Sequence, residues 1–307
     1  MKLINKRNRK PMTGIDLNRR GLTKEDAIAW LIILPSLLAF YLVMWRPMFF
    51  GIKNSFYSLK GYEAVAFKGF DNYIRVVSNT VFPKLLTNTL SYVLYSLLIG
   101  YLPPFIFAVI LNEMVHMKGY FKFSMYFPVI VPSVAVYLIW YFFYQPGPGG
   151  LLNYFMSFFG MPPSAWLGNG KLTIPLIVIT MSWHGFGATM VMYLAVLQGI
   201  NQELYEAARI DGAGIFMRVR TVLLPHMRSI LLLMGVKQVI SVFQVMEQPL
   251  MMTGGGPNNA SISLALQTYK YAFEYYQMDL SLALGVITFL ILLVLTVVYA
   301  YLERKCE

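Results

Sequence analysis

The sequence predicts an all-α polytopic membrane protein with six transmembrane helices, and three observations carry that prediction. Apolar residues make up 57% of the 307-residue chain and only 13% are charged, about half the charged share of an ordinary soluble domain. The apolar residues gather into six runs, each of roughly the 20 residues that a helix needs to cross a bilayer. Lysine and arginine are divided unequally between the connecting segments, as they are where charge sets topology.

The first run, Ala27–Trp45, follows a basic segment over residues 1–26, "MKLINKRNRKPMTGIDLNRRGLTKED". That segment has no apolar periodicity and suits anionic lipid headgroups or solvent. It is too long for the charged region of a secretory signal, and no small-residue cleavage site ends the run behind it, so the run reads as an uncleaved first span. The other five runs are Thr89–Leu111, Phe123–Tyr144, Leu172–Leu197, Ser229–Leu250 and Ser281–Leu302. Pro35, Pro103, Pro104, Pro128, Pro132 and Pro175 fall inside the runs. Membrane helices tolerate proline where neighbours re-satisfy the freed carbonyls, so the spans are predicted to be kinked and closely packed.

With the N-terminus inside, the inner segments hold the basic residues of the tail together with Lys118, Lys122, Arg209, Arg218, Arg220, Arg228, Arg304 and Lys305. The outer segments hold about half as many: Arg46, Lys53, Lys60, Lys68, Arg75, Lys84, Lys171 and Lys270. The positive-inside rule therefore predicts both termini, and the loop around residues 199–228, in the cytoplasm. The formal net charge of +11 is then a topology signal and not a nucleic-acid surface.

Several chemistries are argued against. Cys306 is the only cysteine, which leaves no intrachain disulfide and no cysteine-based metal site. His116, His184 and His226 lack metal-ligand spacing. The glycine-rich "TGGGPNNAS", Thr253–Ser261, has no following Gly-Lys-Ser/Thr and reads as a flexible outer turn, not a phosphate loop. An enzyme would need clustered catalytic groups at membrane depth, and a secondary transporter would show internal repeats and several buried ionisable residues. Of Asp, Glu, Lys and Arg, only Lys237 and Glu247 lie within a span, with His184 the one histidine there.

The informative stretch is "EAARIDGAGIFMRVRTVLLP", Glu206–Pro225. Good helix formers run to Ile210, "DGAG" releases the chain in a new direction, and Ile215, Phe216, Val219, Val222 and Leu223 resume a helical spacing that Pro225 is expected to end. Two uses fit: a rigid knob for another protein to grip, or an amphipathic loop lying on headgroups. In the fifth run Lys237, Ser241, Gln244 and Gln248 fall on one face of a continuous helix. That face suits a polar cavity or interhelical hydrogen bonds equally well. Trp140, Tyr141, Trp183 and Tyr193 are aromatic candidates for stacking on a ligand, though aromatic rings also fill membrane cores and interfaces.

Glu206-Ala207-Ala208, then Gly212, then Val222-Leu223-Leu224-Pro225 resemble the EAA loop of ATP-binding-cassette (ABC) importer permeases, with Val222 in place of the usual isoleucine. "YLAVLQGINQELYEAARIDGAG" and "MTGGGPNNASISLALQTYKYAF" resemble the carbohydrate-uptake branch, the maltose- and glycerol-phosphate-type permeases. The resemblance implies the type I ABC importer permease fold in a bacterial inner membrane. It implies that Glu206, Ala207, Ala208, Asp211, Gly212, Ala213 and Pro225 engage a dimer of cytoplasmic ATPases. The further partners implied are a second permease and an extracytoplasmic binding protein that delivers a sugar. No cofactor is expected on this chain, ATP and Mg being used by the ATPases. The sugar path is expected along Gln238, Ser241, Gln244, Glu247 and Gln248, with Tyr141, Trp183 and Gly185 at its edge.

Overall fold

The computed structural model of the chain describes residues 24–114 and 116–304; the basic tail before residue 24 and Cys306 lie outside the described residues. The chain divides into two units, Met1–Gly51 and Ile52–Glu307. In the first, helix α1 starts with Lys24–Phe40, passes a π-helical turn at Tyr41–Trp45 and continues as Arg46–Asn54. Every side chain from Ile28 to Phe50 is exposed. A helix apolar on all sides is what lipid demands.

The second unit begins with an antiparallel hairpin, β1 (Tyr57–Lys60) and β2 (Glu63–Phe67), which the all-helical expectation missed. Its turn passes through Gly61 at φ +63°. Helix α2 (Asp71–Val77) follows, and then the 32-residue helix α3 (Phe82–Glu113). At 1.5 Å per residue α3 is about 48 Å long, well beyond a hydrocarbon core of about 30 Å. The remaining elements are α4 (Lys118–Ile130), α5 (Ser133–Phe143), α6 (Leu151–Ser157), α7 (Thr173–Gln198), α8 (Gln202–Ile210), α9 (Ile215–Phe243), α10 (Glu247–Thr253), α11 (Leu264–Tyr269) and α12 (Met278–Arg304). Among the described residues five helices are long and apolar enough to cross a membrane, six if the bent pair α4–α5 counts as one span.

Proline acts in two ways. At Val131-Pro132 the third predicted span does not kink but turns by 95°. Val131, held extended before the proline ring, offers its carbonyl oxygen to Nε2 of His184 at 3.1 Å. The fifth predicted span is likewise interrupted: α9 ends at Phe243 and α10 starts at Glu247. Pro249 has no N–H for the carbonyl four residues back, Val245, and its ring crowds that oxygen. Ser263 supplies the missing bond, Oγ to Val245 O, at 2.5 Å.

Pro225 does the opposite of what the sequence suggested: α9 runs straight through it. The carbonyl it would crowd belongs to Thr221, inside a wide π-helical turn at Val219–Leu223. The same device serves Pro103 and Pro104 in α3, whose target carbonyls, Ile99 and Gly100, lie in the π turn Leu97–Tyr101.

The loops around residues 145–170 and 253–263 are stapled by buried asparagines. Asn153 Nδ2 donates to Gly147 O and Ser164 O, and its Oδ1 accepts from Ser164 N and Trp166 Nε1. Asn88 donates to Asn259 O and Ile262 O, and Tyr92 to Ser261 O. The "TGGGPNNAS" turn is therefore not the loose loop the sequence suggested. Its Ser261 is fully buried, and buried polar groups persist because they are paired.

Two apolar cores occupy successive levels of the bundle. One gathers Tyr92, Val93, Ile177, Val178, Val242 and Leu264; the other gathers Ala108, Leu111, Met190, Leu194, Leu223 and Met227. Helices α4 and α7 meet at Gly187, where an added Cβ would sit against the Met125 carbonyl oxygen and the Tyr126 Cα. Backbone cannot step aside as a side chain can. Gly187→Ala is expected to cost about 3 kcal/mol or more through overpacking, whereas Gly185→Ala, with nothing within 4 Å of its Cβ, should be neutral. Thermal inactivation of the two purified variants checks this.

Candidate functional site

Two places collect the sequence-predicted site residues. The first is the loop between α7 and α9. Asn201 Oδ1 accepts from Glu203 N at 3.0 Å, which caps the start of α8. At the other end Ala213 N donates to Ala208 O at 2.9 Å around Gly212 at φ +76°, a left-handed closure of the Schellman type. Nothing lies within 4 Å of a Cβ on Gly212, so only the backbone angle demands glycine there.

Glu206, Ala207 and Asp211 are exposed, and Ala208 and Ala213 partly so. Pro225 is exposed in the through-running helix α9. The resumed apolar spacing splits in two: Val222 and Leu223 are buried, while Phe216 is 89% exposed. Ile210 is 86% exposed beside the turn. Neither Phe216 nor Ile210 belongs to the sequence-predicted set. The signal available was an apolar residue at either margin of a charged turn.

The second place is a cavity of about 300 Å³ lined by Tyr137, Ser182, His184, Lys237, Gln238 and Gln248, among others, with Gly185 and Ser241 also on its wall. On α3 and α7 its residues fall between those of the two apolar cores, Gly100 and Tyr101 and then Met181 to Thr189, and on α9 they run from Met234 at the edge of the second core to Ser241. A polar layer thus lies between two greasy ones. Gly100 makes the convergence possible, since a Cβ there would stand 2.8 Å from Ser182 Oγ and 3.0 Å from Gln238 Nε2. Gln248 Nε2 donates to Tyr137 Oη at 2.9 Å, and Tyr137 stands edge-on to His184 at 6.2 Å.

Gln244 and Glu247 line an adjoining hollow, also of about 300 Å³, that shares Met181, Ser241 and Gln248 with the first. Glu247 Oε1 accepts from Ser133 Oγ at 2.7 Å. The single-helix stripe is corrected here, because the break after Gln244 puts Gln248 on α10. Gln248 reaches the cavity through the tertiary fold and not through helical periodicity. Trp183 pairs edge-on with Trp140 at 5.6 Å, and neither it nor Tyr141 lines either hollow. Tyr193 is buried in the second apolar core. Among the described residues no group of three or more His, Cys, Asp or Glu is placed to hold a metal ion.

The family model described as binding-protein-dependent transport system inner membrane component matches residues 22–307. The chain is 31% identical over 238 residues to the trehalose/maltose transport system permease protein MalF of Thermococcus litoralis, a stretch covering 78% of this chain and 77% of that one. It is 26% identical to the arabinooligosaccharides transport system permease protein AraP of Halalkalibacterium halodurans, over 80% of this chain and 78% of the relative. Among solved structures, a bacterial ABC transporter involved in the import of the acidic polysaccharide alginate superposes with a TM-score of 0.82 at 22% identity, covering 92% of this chain and 96% of the other.

Proposed function

Because the chain belongs to the family of binding-protein-dependent transport system inner membrane components, we propose that it is the permease subunit of an ABC importer that takes up an oligosaccharide or related sugar. The polar layer carries this reading. Amide and hydroxyl groups of Gln238, Ser241, Gln248, Ser182 and Tyr137 face one cavity between two apolar cores, at a depth where polar groups are costly unless they serve a path. Such groups match the donors and acceptors of a sugar, and the named relatives transport trehalose, maltose and arabinooligosaccharides.

Work is done on the path from outside this chain. A dimer of cytoplasmic ATPases grips the α8 turn, with Glu206, Ala207, Ala208, Asp211, Gly212 and Ala213 at the contact and Phe216 and Ile210 as its apolar knobs. A second permease closes the other half of the path, and an extracytoplasmic binding protein loads it. ATP and Mg act on the ATPases, and closure of those subunits rocks the permeases between inward-open and outward-open forms. Both termini of this chain lie in the cytoplasm in this reading.

The test is the ATPase activity of the complex reconstituted in vesicles, stimulated by its binding protein and a panel of sugars. Lys237 lines the cavity with no acidic partner among the described residues, so the panel spans neutral and uronic-acid oligosaccharides. Stimulation by at least one sugar is expected. Stimulation by amino acids or metals alone would sink the sugar assignment.

A further inference from the structure

Arg218 carries a charge that the transport path does not use. It lies in the first turn of α9, just past the Gly212 turn, and its side chain is only 12% exposed. Its Nη2 donates to Oε2 of Glu113, the last residue of α3, at 3.1 Å. Its guanidinium carbon stands 5.0 Å from the centre of the Tyr205 ring on α8. One side chain thus joins the end of a long spanning helix to both arms of the coupling loop.

The cluster is incompletely bonded. Arg218 Nε, Glu113 Oε1 and Tyr205 Oη are buried, and none makes a hydrogen bond among the described residues. A cavity of about 560 Å³, lined in part by Glu113, Tyr205 and Glu206, lies beside them. Burying an ion pair costs desolvation, which is recovered only when the remaining donors and acceptors are also satisfied. Guanidinium and carboxylate recover most as a fork of two parallel bonds. Here one of the two exists, and the two atoms that would complete the fork, Nε and Oε1, are both unpaired. A small approach of the loop toward α3 converts one bond into two, and the cavity leaves room for it.

We propose that Arg218 and Glu113 form a two-position latch that transmits movement of the coupling loop to α3, with Arg218 the positioning residue. The latch is held by one bond in this conformation and by two in the alternate state of the transport cycle, an inference that rests on the permease reading above. The Tyr205 ring keeps the guanidinium against α8 through its π face, so a tilt of α8 moves the charge. Lysine carries the same charge but cannot form the fork.

The experiment uses the full complex with its binding protein in vesicles and reads basal ATPase activity, stimulated ATPase activity and sugar uptake. Arg218→Lys and Glu113→Gln are expected to assemble with normal basal activity while stimulated activity and uptake each fall about tenfold, the loss of one charge-assisted hydrogen bond. The charge swap, Arg218→Glu with Glu113→Arg, should recover more uptake than either of its single changes. Unaltered stimulation in Arg218→Lys overturns the latch and leaves the permease reading standing. Equal loss of basal and stimulated activity, with no recovery in the swap, also overturns it and makes the pair ordinary structural glue. A parent complex that transports no sugar overturns the permease reading and the latch together.

Discussion

Phe216→Asp is expected to lower sugar uptake by about two orders of magnitude while the permease still folds and inserts. Phe216 is 89% exposed, and exposed positions away from special features usually shift stability by only about 0.5 kcal/mol. The same substitution at the centre of a protein contact removes an aromatic anchor and buries an unpaired charge, which costs about 2 to 4 kcal/mol. Glu206→Lys and Gly212→Trp should act in the same direction. Glu206→Lys reverses the charge at the proposed contact, and Gly212→Trp puts a bulky side chain at φ +76°, where L residues are strained by about 1–2 kcal/mol. Uptake and ATPase co-purification are the measurements. Normal uptake with any of the three would remove that residue from the coupling surface.

The second large effect is expected at the polar layer. Ser241→Leu puts an isobutyl group where two hollows meet, and Gln244→Ala removes an amide from the neighbouring wall. Each should raise the sugar concentration for half-maximal uptake by about 10- to 100-fold, the equivalent of about 1.4 to 2.8 kcal/mol of lost hydrogen bonding. Assembly with the ATPases should be unaffected. Gln248→Leu also frees the Tyr137 hydroxyl, so its loss should be at the upper end of that range. Variants that instead fall out of the complex would show that these side chains hold helices together and that the sugar passes elsewhere.

The positions of the apolar runs could be read from the chain because a bilayer imposes length and composition on each helix separately. The glycine-hinged loop between α7 and α9 was legible for a similar reason. Asn201, Gly212 and the Ala208–Ala213 closure are local, with all partners within a few residues. What the sequence concealed lies at the prolines. Pro132, Pro225 and Pro249 each lack an N–H and would crowd the carbonyl four residues back in a continuous helix, yet one marks a 95° turn, one lies within a continuous helix and one follows a helix break. The outcome depends on what becomes of the carbonyl four residues before each proline: Pro128 O takes the nearby Val131 N as the chain turns, Val245 O takes Ser263 Oγ, and Thr221 lies in a widened turn. Ser263 is 18 residues from the carbonyl it satisfies, and His184, which meets Val131 O at the bend, is 53 residues from it.

By itself, then, the sequence determined that this chain crosses a membrane as helices and that a glycine-hinged pair of short helices interrupts them. Each of those properties follows from local composition or from bonds a few residues long. The tertiary structure decided where the spans break, that the Thr253–Ser261 glycine turn is pinned by Asn88 and Tyr92, and that Gln248 joins Gln238 and Ser241 around one cavity from a different helix. It also decided that Arg218 meets Glu113 across 105 residues of chain. Backbone and side-chain groups inside an apolar bundle must find partners wherever the fold brings them, and no local pattern records which partner that will be.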